Sequence, residues 1–254
     1  MHALKAGLYR WLGAAREDAR LHDTFVDVVA SEGTLRGAGG VLLDIGARDG
    51  ATTAQLLEAV TRPTADAPRG ASDPWYAVVA DISRDYLATA RPDLARLCAD
   101  TERSDWPVRS GSVDCVVMNQ FLEHLKDPYR PLGEADRVLR VGGRLLIGVP
   151  NLGGLVNRLY LVCGQQPPAM HFPGPHVRGF TYPAMRDYLA TNANFRIERA
   201  FGACCYPLPP PLSEWVGQRC PSIASYMFFI ARKVADAQPS PWLAGRAATG
   251  ETVL

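Results

Sequence analysis

The chain has 254 residues, of which 47% are apolar and 21% are charged, a composition ordinary for a soluble globular protein with one large α/β domain or two small ones. Its formal net charge is +1 and its acidic and basic residues are interspersed, which excludes a basic surface for nucleic acid or another polyanion. The six cysteines form no Cys-x-x-Cys pair, and no run of about 18 apolar residues exists, so we predict neither a zinc site, nor a disulfide framework, nor a membrane span.

The first forty residues are predicted to be helical. Met1–Lys5 lack the long apolar stretch of a signal peptide, so a cytoplasmic enzyme is expected. Apolar residues then recur at roughly helical spacing, which predicts one or two helices that end near Ser31 to Gly33. Such a leader either packs on a sheet or covers a ligand cleft.

The stretch from Val41 to Gly50 predicts a buried parallel strand that enters a helix. Three apolar residues lead into Asp44, a turn bounded by Gly46 and Gly50 follows, and helical periodicity then begins. Glycines let the backbone turn sharply and let a ligand come close, and the free N–H groups of the helix start face that ligand. Dinucleotide enzymes use such a turn with Gly-x-Gly-x-x-Gly, but Arg48 occupies the second glycine position, which disfavours a pyrophosphate.

Three further strands are predicted to deliver polar residues to the same edge of the sheet. Residues 76–80 end at Asp81, where an acid can accept two ribose hydroxyls, and a strand within 94–99 precedes Asp100. Residues 113–118 form the fourth strand, which is followed by the segment Asn119–Leu125.

The second half of the chain is predicted to alternate between helices, strands and one irregular loop. Residues 164–181 are rich in Pro, Gly, His and aromatics and have little regular pattern, and the proline-rich segment 206–212 is predicted to be extended. The other predicted elements are helices at 132–139, 155–161 and 182–191, a turn at 141–143, and strands at 144–151, 195–200 and 226–232.

Several linked motifs resemble the class I S-adenosylmethionine (SAM)-dependent methyltransferases, and in particular small-molecule enzymes with a methyltransferase domain of type 11. They are Asp-Ile-Gly-Ala-Arg-Asp-Gly from Asp44, Glu-His-Leu-Lys-Asp-Pro from Glu123, Leu-Arg-Val-Gly-Gly-Arg-Leu-Leu-Ile from Leu139, and Val-Pro-Asn from Val149. Many members of the family have a further glycine where Arg48 stands. The resemblance covers roughly residues 38–151 and continues more weakly to Lys233.

This resemblance implies a fold and a domain organisation. The expected α/β fold is a Rossmann-like, doubly wound, seven-stranded sheet, mostly parallel with an antiparallel edge strand, and with helices on both faces. Residues 1–40 would be an N-terminal helical leader or cap, residues 41–235 the methyltransferase domain with acceptor-side insertions near 151–181 and 203–222, and residues 236–254 a flexible tail.

The resemblance also implies that the cofactor is SAM and that S-adenosylhomocysteine is its product. Asp81 would bind the ribose hydroxyls, and Asp100 would contact the adenine amino group. The expected cofactor-binding residues are Asp44, Gly46, Ala47, Arg48, Gly50, Asp81, Ile82, Asp100, Thr101, Asn119 and Gln120.

Two groups of residues are candidates for the acceptor side of the site. His124 follows the fourth strand and titrates near neutral pH, so it is a candidate base, although in many relatives the Glu-His pair supports the cofactor loop instead. His171, His176, Arg178 and Tyr182 belong to the region where this fold builds its acceptor pocket, and His176 is a second catalytic candidate. The alternative for this loop is that its His and Arg side chains only pin it to the core.

A metal site is not expected from the family resemblance. A subgroup that methylates quinone precursors binds a divalent metal through Glu-x-x-Glu-His, and here Gln120 replaces the first glutamate.

The resulting hypothesis is a cytoplasmic SAM-dependent methyltransferase acting on an oxygen or nitrogen of a small molecule of natural-product or sugar type. Its expected partner is this acceptor, with no nucleic acid and no membrane, and a homodimer stays open. Two alternatives remain: a SAM-binding enzyme of the same fold that catalyses a non-methylating cyclisation or rearrangement, and a non-catalytic methyltransferase-like partner subunit.

Overall fold

The computed structural model describes residues 14–32, 35, 39–61, 74–170, 174–191 and 194–236. Residues 1–13, the proline- and alanine-rich loop at 62–70, His171 and the segment after Asp236 lie outside the described residues. Predictions made for these segments therefore stay predictions.

The described residues form seven strands and seven α-helices, and short 3₁₀ turns at Leu122–His124 and Pro168–Met170. In chain order the helices and strands are α1 (Ala14–Ser31), β1 (Gly40–Ile45), α2 (Ala51–Thr61), β2 (Trp75–Asp81), α3 (Arg84–Ala88), β3 (Ala95–Cys98), β4 (Val113–Asn119), α4 (Tyr129–Val138), β5 (Leu139–Pro150), α5 (Leu155–Val162), α6 (Tyr182–Thr191), β6 (Phe195–Ala203), α7 (Pro210–Arg219) and β7 (Tyr226–Lys233).

The strands build one sheet in the order β3-β2-β1-β4-β5-β7-β6. The pairs from β3 to β5 are parallel, whereas β7 runs antiparallel to both β5 and β6. The order reverses direction between β1 and β4, and ligands of open α/β sheets bind outside the carboxyl ends of the strands at such a switch point. The predicted Rossmann-like fold, mostly parallel with an antiparallel edge, is confirmed.

Both faces of the sheet are buried, because side chains alternate along each strand. In β1, Leu43 and Ile45 belong to the cluster on one face, and Leu42 belongs to the cluster on the other. Helix α1 covers that second face, where the ring of Phe25 lies 5.4 Å from the ring of Phe228 between centroids. Fully burying such an aliphatic or aromatic side chain contributes about 1.5–3 kcal/mol, so these contacts hold α1 over the sheet.

Two local predictions were wrong. The proline-rich segment does not stay extended, because α7 begins at Pro210. Prolines are tolerated in the first helical turn, where the missing N–H group would have no helical partner. The predicted turn at 141–143 lies inside β5, which starts at Leu139 and carries an irregularity where it pairs with β4.

None of the helices among the described residues is both long and apolar enough to cross a membrane.

Candidate active site

A cavity of about 500 Å³ opens at the carboxyl ends of β1 and β4, where the strand order reverses. The loop after β1 and the start of α2 form one wall of this cavity. The segment after β4 forms a second wall, and α1 contributes Leu21, His22 and Asp23. His176 reaches the cavity from the irregular loop before α6.

The glycines of the loop after β1 are required by backbone conformation and by space. Gly46 has a φ of 73°, and a Cβ atom there would clash with the ring of Phe121. Gly50 has a φ of 71°, and its Cβ would lie 2.9 Å from Leu94. Because a positive φ is strained for other residues, these glycines let the loop turn tightly over the end of the sheet.

Asp44 is a buried carboxylate at the end of β1 and lines the cavity. Its side chain is 5% exposed and accepts a hydrogen bond from the hydroxyl of Thr53. Burial raises the pKa of Asp44 to about 7; the Thr53 hydrogen bond lowers it, and the charge of Asp81 raises it further. A buried acid without a counter-charge is costly in the free protein and attracts a cationic ligand group.

The remaining predicted cofactor residues divide into those that line the cavity and those that shape its loops. Ala47 and Arg48 line it with Asp44 and Gly46. Gly50, Asp81, Ile82, Asp100 and Thr101 do not belong to the lining.

Asp81 connects two loops through its carboxylate. Its two oxygens accept hydrogen bonds from the N–H groups of Arg48, at 3.0 Å, and Ser83, at 2.8 Å. Asp81 is 8% exposed, whereas the next residue, Ile82, is 68% exposed. Each carboxylate oxygen has a second lone pair, so this arrangement leaves acceptor capacity for a ribose.

Asp100 and Thr101 support the turn that follows β3. Asp100 Oδ1 accepts hydrogen bonds from the N–H groups of Glu102 and Arg103, at 3.2 and 3.1 Å. Thr101 is buried, and its carbonyl oxygen accepts a hydrogen bond from the indole N–H of Trp106 at 3.0 Å. The predicted contact between Asp100 and adenine therefore stays a prediction.

Asn119 and Gln120 line the cavity at the end of β4, and each carries a buried polar atom without a partner among the described residues. The side-chain oxygen Oδ1 of Asn119 and the side-chain nitrogen Nε2 of Gln120 are buried and have no hydrogen-bond partner among the described residues. Gln120 also has a φ of 53°, which is uncommon for a residue other than glycine. Buried polar atoms without partners are rare in folded proteins, and in a cavity they are suited to a polar ligand.

Glu123, His124 and His176 form a cluster on the wall of the same cavity. Their candidate ligand atoms all lie within 4.8 Å of one another. The rings of His124 and His176 meet edge to face, with 5.0 Å between centroids. Glu123 is 1% exposed, neither of its carboxylate oxygens has a partner among the described residues, and burial raises its pKa to about 8.

The loop that carries His176 is held by the backbone of Glu123. The Glu123 carbonyl oxygen accepts hydrogen bonds from the N–H groups of Val177, at 2.9 Å, and Arg178, at 3.1 Å. These bonds place His176 beside His124.

The pKa of His124 is lowered. Burial is the largest cause, the hydrogen bond to the Pro175 carbonyl opposes it, and the charges of His176 and Arg48 add to the lowering. The imidazole is therefore neutral near pH 7, as a proton acceptor must be.

Arg178 and Tyr182, the other predicted acceptor residues, do not line the cavity. Arg178 Nε donates to the carbonyl oxygens of Leu125, at 3.1 Å, and Lys126, at 3.0 Å. Tyr182 stacks on Phe229, with 5.6 Å between ring centroids. These contacts fit the alternative in which the loop is pinned to the core.

Helix α1 covers the sheet and also lines the cavity, through residues that the sequence did not single out. The side chain of His22 lies on the cavity wall, with Nδ1 3.2 Å from the hydroxyl oxygen of Thr52. The sequence feature that could have indicated these residues is that His22 and Asp23 follow Leu21 at the margin of the apolar face of a predicted helix.

Residues 43–147 match the protein family described as "Methyltransferase domain". A protein of Mycolicibacterium smegmatis described as a "Probable S-adenosylmethionine-dependent methyltransferase" is 33% identical over 99 residues, which are 39% of this chain and 35% of that protein. An uncharacterized 37.1 kDa protein in transposon TN4556 of Streptomyces fradiae is 31% identical over 137 residues, 52% of this chain and 40% of that protein. This chain thus spans two fifths or less of the length of these curated relatives.

Solved structures share the fold at low sequence identity. The 1,6-didemethyltoxoflavin-N1-methyltransferase of Burkholderia thailandensis, with bound 1,6-didemethyltoxoflavin and S-adenosylhomocysteine, aligns with a TM-score of 0.53 and 16% identity over 92% of this chain and 87% of that chain. The [4+2]-cyclase SpnF aligns with a TM-score of 0.55 and 18% identity over 83% of this chain and 80% of that chain. The same fold therefore occurs in a methyltransferase and in a cyclase.

Proposed function

We propose that this chain, whose residues 43–147 match a methyltransferase domain, is a class I SAM-dependent methyltransferase that transfers the methyl group of SAM to an oxygen or nitrogen atom of a small molecule. One observation carries the proposal. One cavity is lined by the buried acid, by the glycine turn and by a pair of histidines. A cofactor and an acceptor held in that cavity would lie beside each other.

The residues present fit SAM. The buried Asp44 carboxylate suits a positively charged ligand, and the unpaired atoms of Asn119 and Gln120 suit the polar amino-acid part of the cofactor. Gly46, Ala47 and Arg48 would hold the cofactor along the turn, and Asp81 would accept the ribose hydroxyls. When bound, SAM supplies a methyl group that is activated by the positive charge of its sulfonium.

The protein then has two tasks. The cavity walls align the acceptor atom with the methyl group, and alignment alone can contribute about 7–11 kcal/mol to lowering the barrier. His124 or His176 would orient the acceptor or take its proton, which adds a factor of about 10²–10⁴ where the acceptor is a hydroxyl or an ammonium group.

The decisive experiment is incubation with methyl-labelled SAM and a panel of small hydroxylated and amine acceptors. Methylated, labelled product is expected. We keep the non-methylating reaction as a second candidate because the cyclase SpnF has the same fold. Product without label would favour that candidate, and absence of SAM binding by calorimetry at millimolar concentration would favour a non-catalytic subunit.

A further inference from the structure

The cluster of Glu123, His124 and His176 combines three groups that ligate metals. Two imidazoles and one carboxylate lie with their candidate ligand atoms within 4.8 Å of one another, on the wall of the cavity. Two histidines with one carboxylate are a common ligand set for Zn²⁺ in catalytic sites and for other divalent transition ions.

Both histidines are held in the tautomer that a metal ligand needs. His124 Nδ1 lies 3.3 Å from the carbonyl oxygen of Pro175, and His176 Nδ1 lies 2.9 Å from the carbonyl oxygen of Ala169. A carbonyl oxygen can only accept, so Nδ1 carries the hydrogen in each ring and Nε2 has a free lone pair. Metal-ligating histidines are oriented in this manner by their second nitrogen.

Glu123 is the independent observation that points to a cation. Its side chain is 1% exposed, and neither oxygen has a partner among the described residues. A buried carboxylate usually pairs with a counter-charge or coordinates a metal, because its burial is otherwise unfavourable. The N–H groups of Val177 and Arg178 hydrogen-bond the backbone carbonyl of Glu123, so the carboxylate does not serve to hold the loop.

We propose that Glu123, His124 and His176 bind one divalent transition-metal ion, of the type of Zn²⁺, on the wall of the cavity. Ligand atoms of a tetrahedral Zn²⁺ site are about 3.3 Å apart. The three side chains must therefore approach one another by about 1.5 Å on binding, relative to the largest separation of 4.8 Å. Both histidines line the cavity, so their rings have room to make this movement.

The role of the ion in turnover rests on the proposed function, whereas its binding does not. Three protein ligands leave a coordination position open, and an acceptor hydroxyl bound there would become more acidic. The hydroxyl proton leaves to solvent, the oxygen forms a bond to the methyl carbon, and the sulfur keeps the electron pair of the broken bond. The acceptor class would thus be a hydroxylated molecule, with the histidines acting as ligands instead of bases.

The proposal is tested first by titrating the complete chain with Co²⁺ alone, without SAM and without acceptor. We expect one Co²⁺ per chain with visible absorption bands of a four- or five-coordinate site, and displacement of that Co²⁺ by Zn²⁺. Glu123→Gln and His176→Gln should each weaken Co²⁺ binding by more than about 10–100-fold, the loss that follows removal of even an outer partner of a ligand. His22→Gln is the matched control, since it changes a histidine on the same cavity outside the cluster, and it should stay within about threefold of wild type.

Glu123→Gln distinguishes the loss of a metal ligand from a loss of binding that is caused by misfolding. The replacement has the same shape and removes a buried charge, so its midpoint of thermal unfolding should equal or exceed that of the wild type. Absence of stoichiometric Co²⁺ binding, or equal binding by Glu123→Gln and wild type, would overturn the metal site. If label transfer from SAM occurs but is unaffected by a chelator that removes the ion, the role of the ion is refuted while methyl transfer stands.

Discussion

Replacing Asp44 by asparagine should stabilise the free protein at neutral and alkaline pH and weaken its binding of SAM. Burial raises the pKa of this carboxyl from 3.8 to about 7, so the folded protein retains a proton that the unfolded chain releases between about pH 4 and pH 7. The stability of the wild type therefore falls as pH rises through this window and stays lower above it. Asparagine does not ionise, and its side-chain oxygen can still accept the hydrogen bond of Thr53.

The pKa values set the size of the effect. The difference between 3.8 and about 7 corresponds to roughly 4 kcal/mol of unfolding free energy above about pH 7, and to almost none at about pH 4. The loss of a charged partner for SAM should at the same time reduce affinity by at least about tenfold, in line with about 1.5–3 kcal/mol for a hydrogen bond to a charged group.

Denaturant unfolding of both proteins across this pH range measures the stability difference, and calorimetry measures SAM binding. Asp49→Asn is the control, because Asp49 is exposed in the same loop and its exchange removes the same charge. The reasoning fails if Asp44→Asn is no more stable than wild type at about pH 8, or if its advantage is the same at about pH 4.

Three other substitutions test Asp81, the glycine turn after β1 and the candidate base His124. Asp81→Ala removes the acceptor of two backbone N–H groups and should weaken SAM binding at least about tenfold by calorimetry; unchanged affinity would remove Asp81 from the site. Gly46→Ala should lower the free energy of unfolding by about 1–3 kcal/mol, and by more than Gly111→Ala. Both glycines have a positive φ, but only a Cβ atom at Gly46 would meet a neighbouring side chain. Equal losses of stability in thermal unfolding would show that this steric clash contributes nothing. His124→Ala should reduce turnover at least about 100-fold with little change in SAM affinity, and the reverse pattern would make it a cofactor-loop residue.

The fold and the part of the cavity formed after β1 and β4 could be predicted from the sequence because their signals are local. An apolar run that ends in an acid and a glycine turn predicts both the strand and the position of Asp44 at its carboxyl end. Parallel strands place their carboxyl ends at one edge of the sheet, so Asp44, Asn119 and Gln120 could be assigned to one site before any distance was known.

The pairing of His124 with His176 could not be predicted in this way, because it depends on hydrogen bonds between segments far apart in the chain. The backbone carbonyl of Glu123 holds the loop that carries His176, and an irregular loop has no periodicity from which such a contact follows. The guanidinium of Arg178 was interpreted as a site for an acceptor, yet it donates to the carbonyl oxygens of Leu125 and Lys126. The hydrogen-bond donors of an arginine are known from its residue type, but the acceptors that they contact depend on the folded structure.

The carboxyl end of β1 and the segment after β4 nevertheless share one physical feature. Asp44 and Glu123 are buried carboxylates, one with a single hydroxyl partner and the other without a partner among the described residues. Each makes the free protein less stable than a neutral residue of the same shape would, and sites selected for function commonly carry such a cost.

Two buried acids that line one cavity are best explained by two cationic occupants. On this view the sulfonium or ammonium of SAM lies nearer Asp44, and a divalent ion lies beside Glu123. Asp44→Asn should then weaken SAM binding and leave Co²⁺ binding unchanged, and Glu123→Gln should do the opposite. If either variant weakened both ligands equally, the cavity would have one shared electrostatic site in place of two.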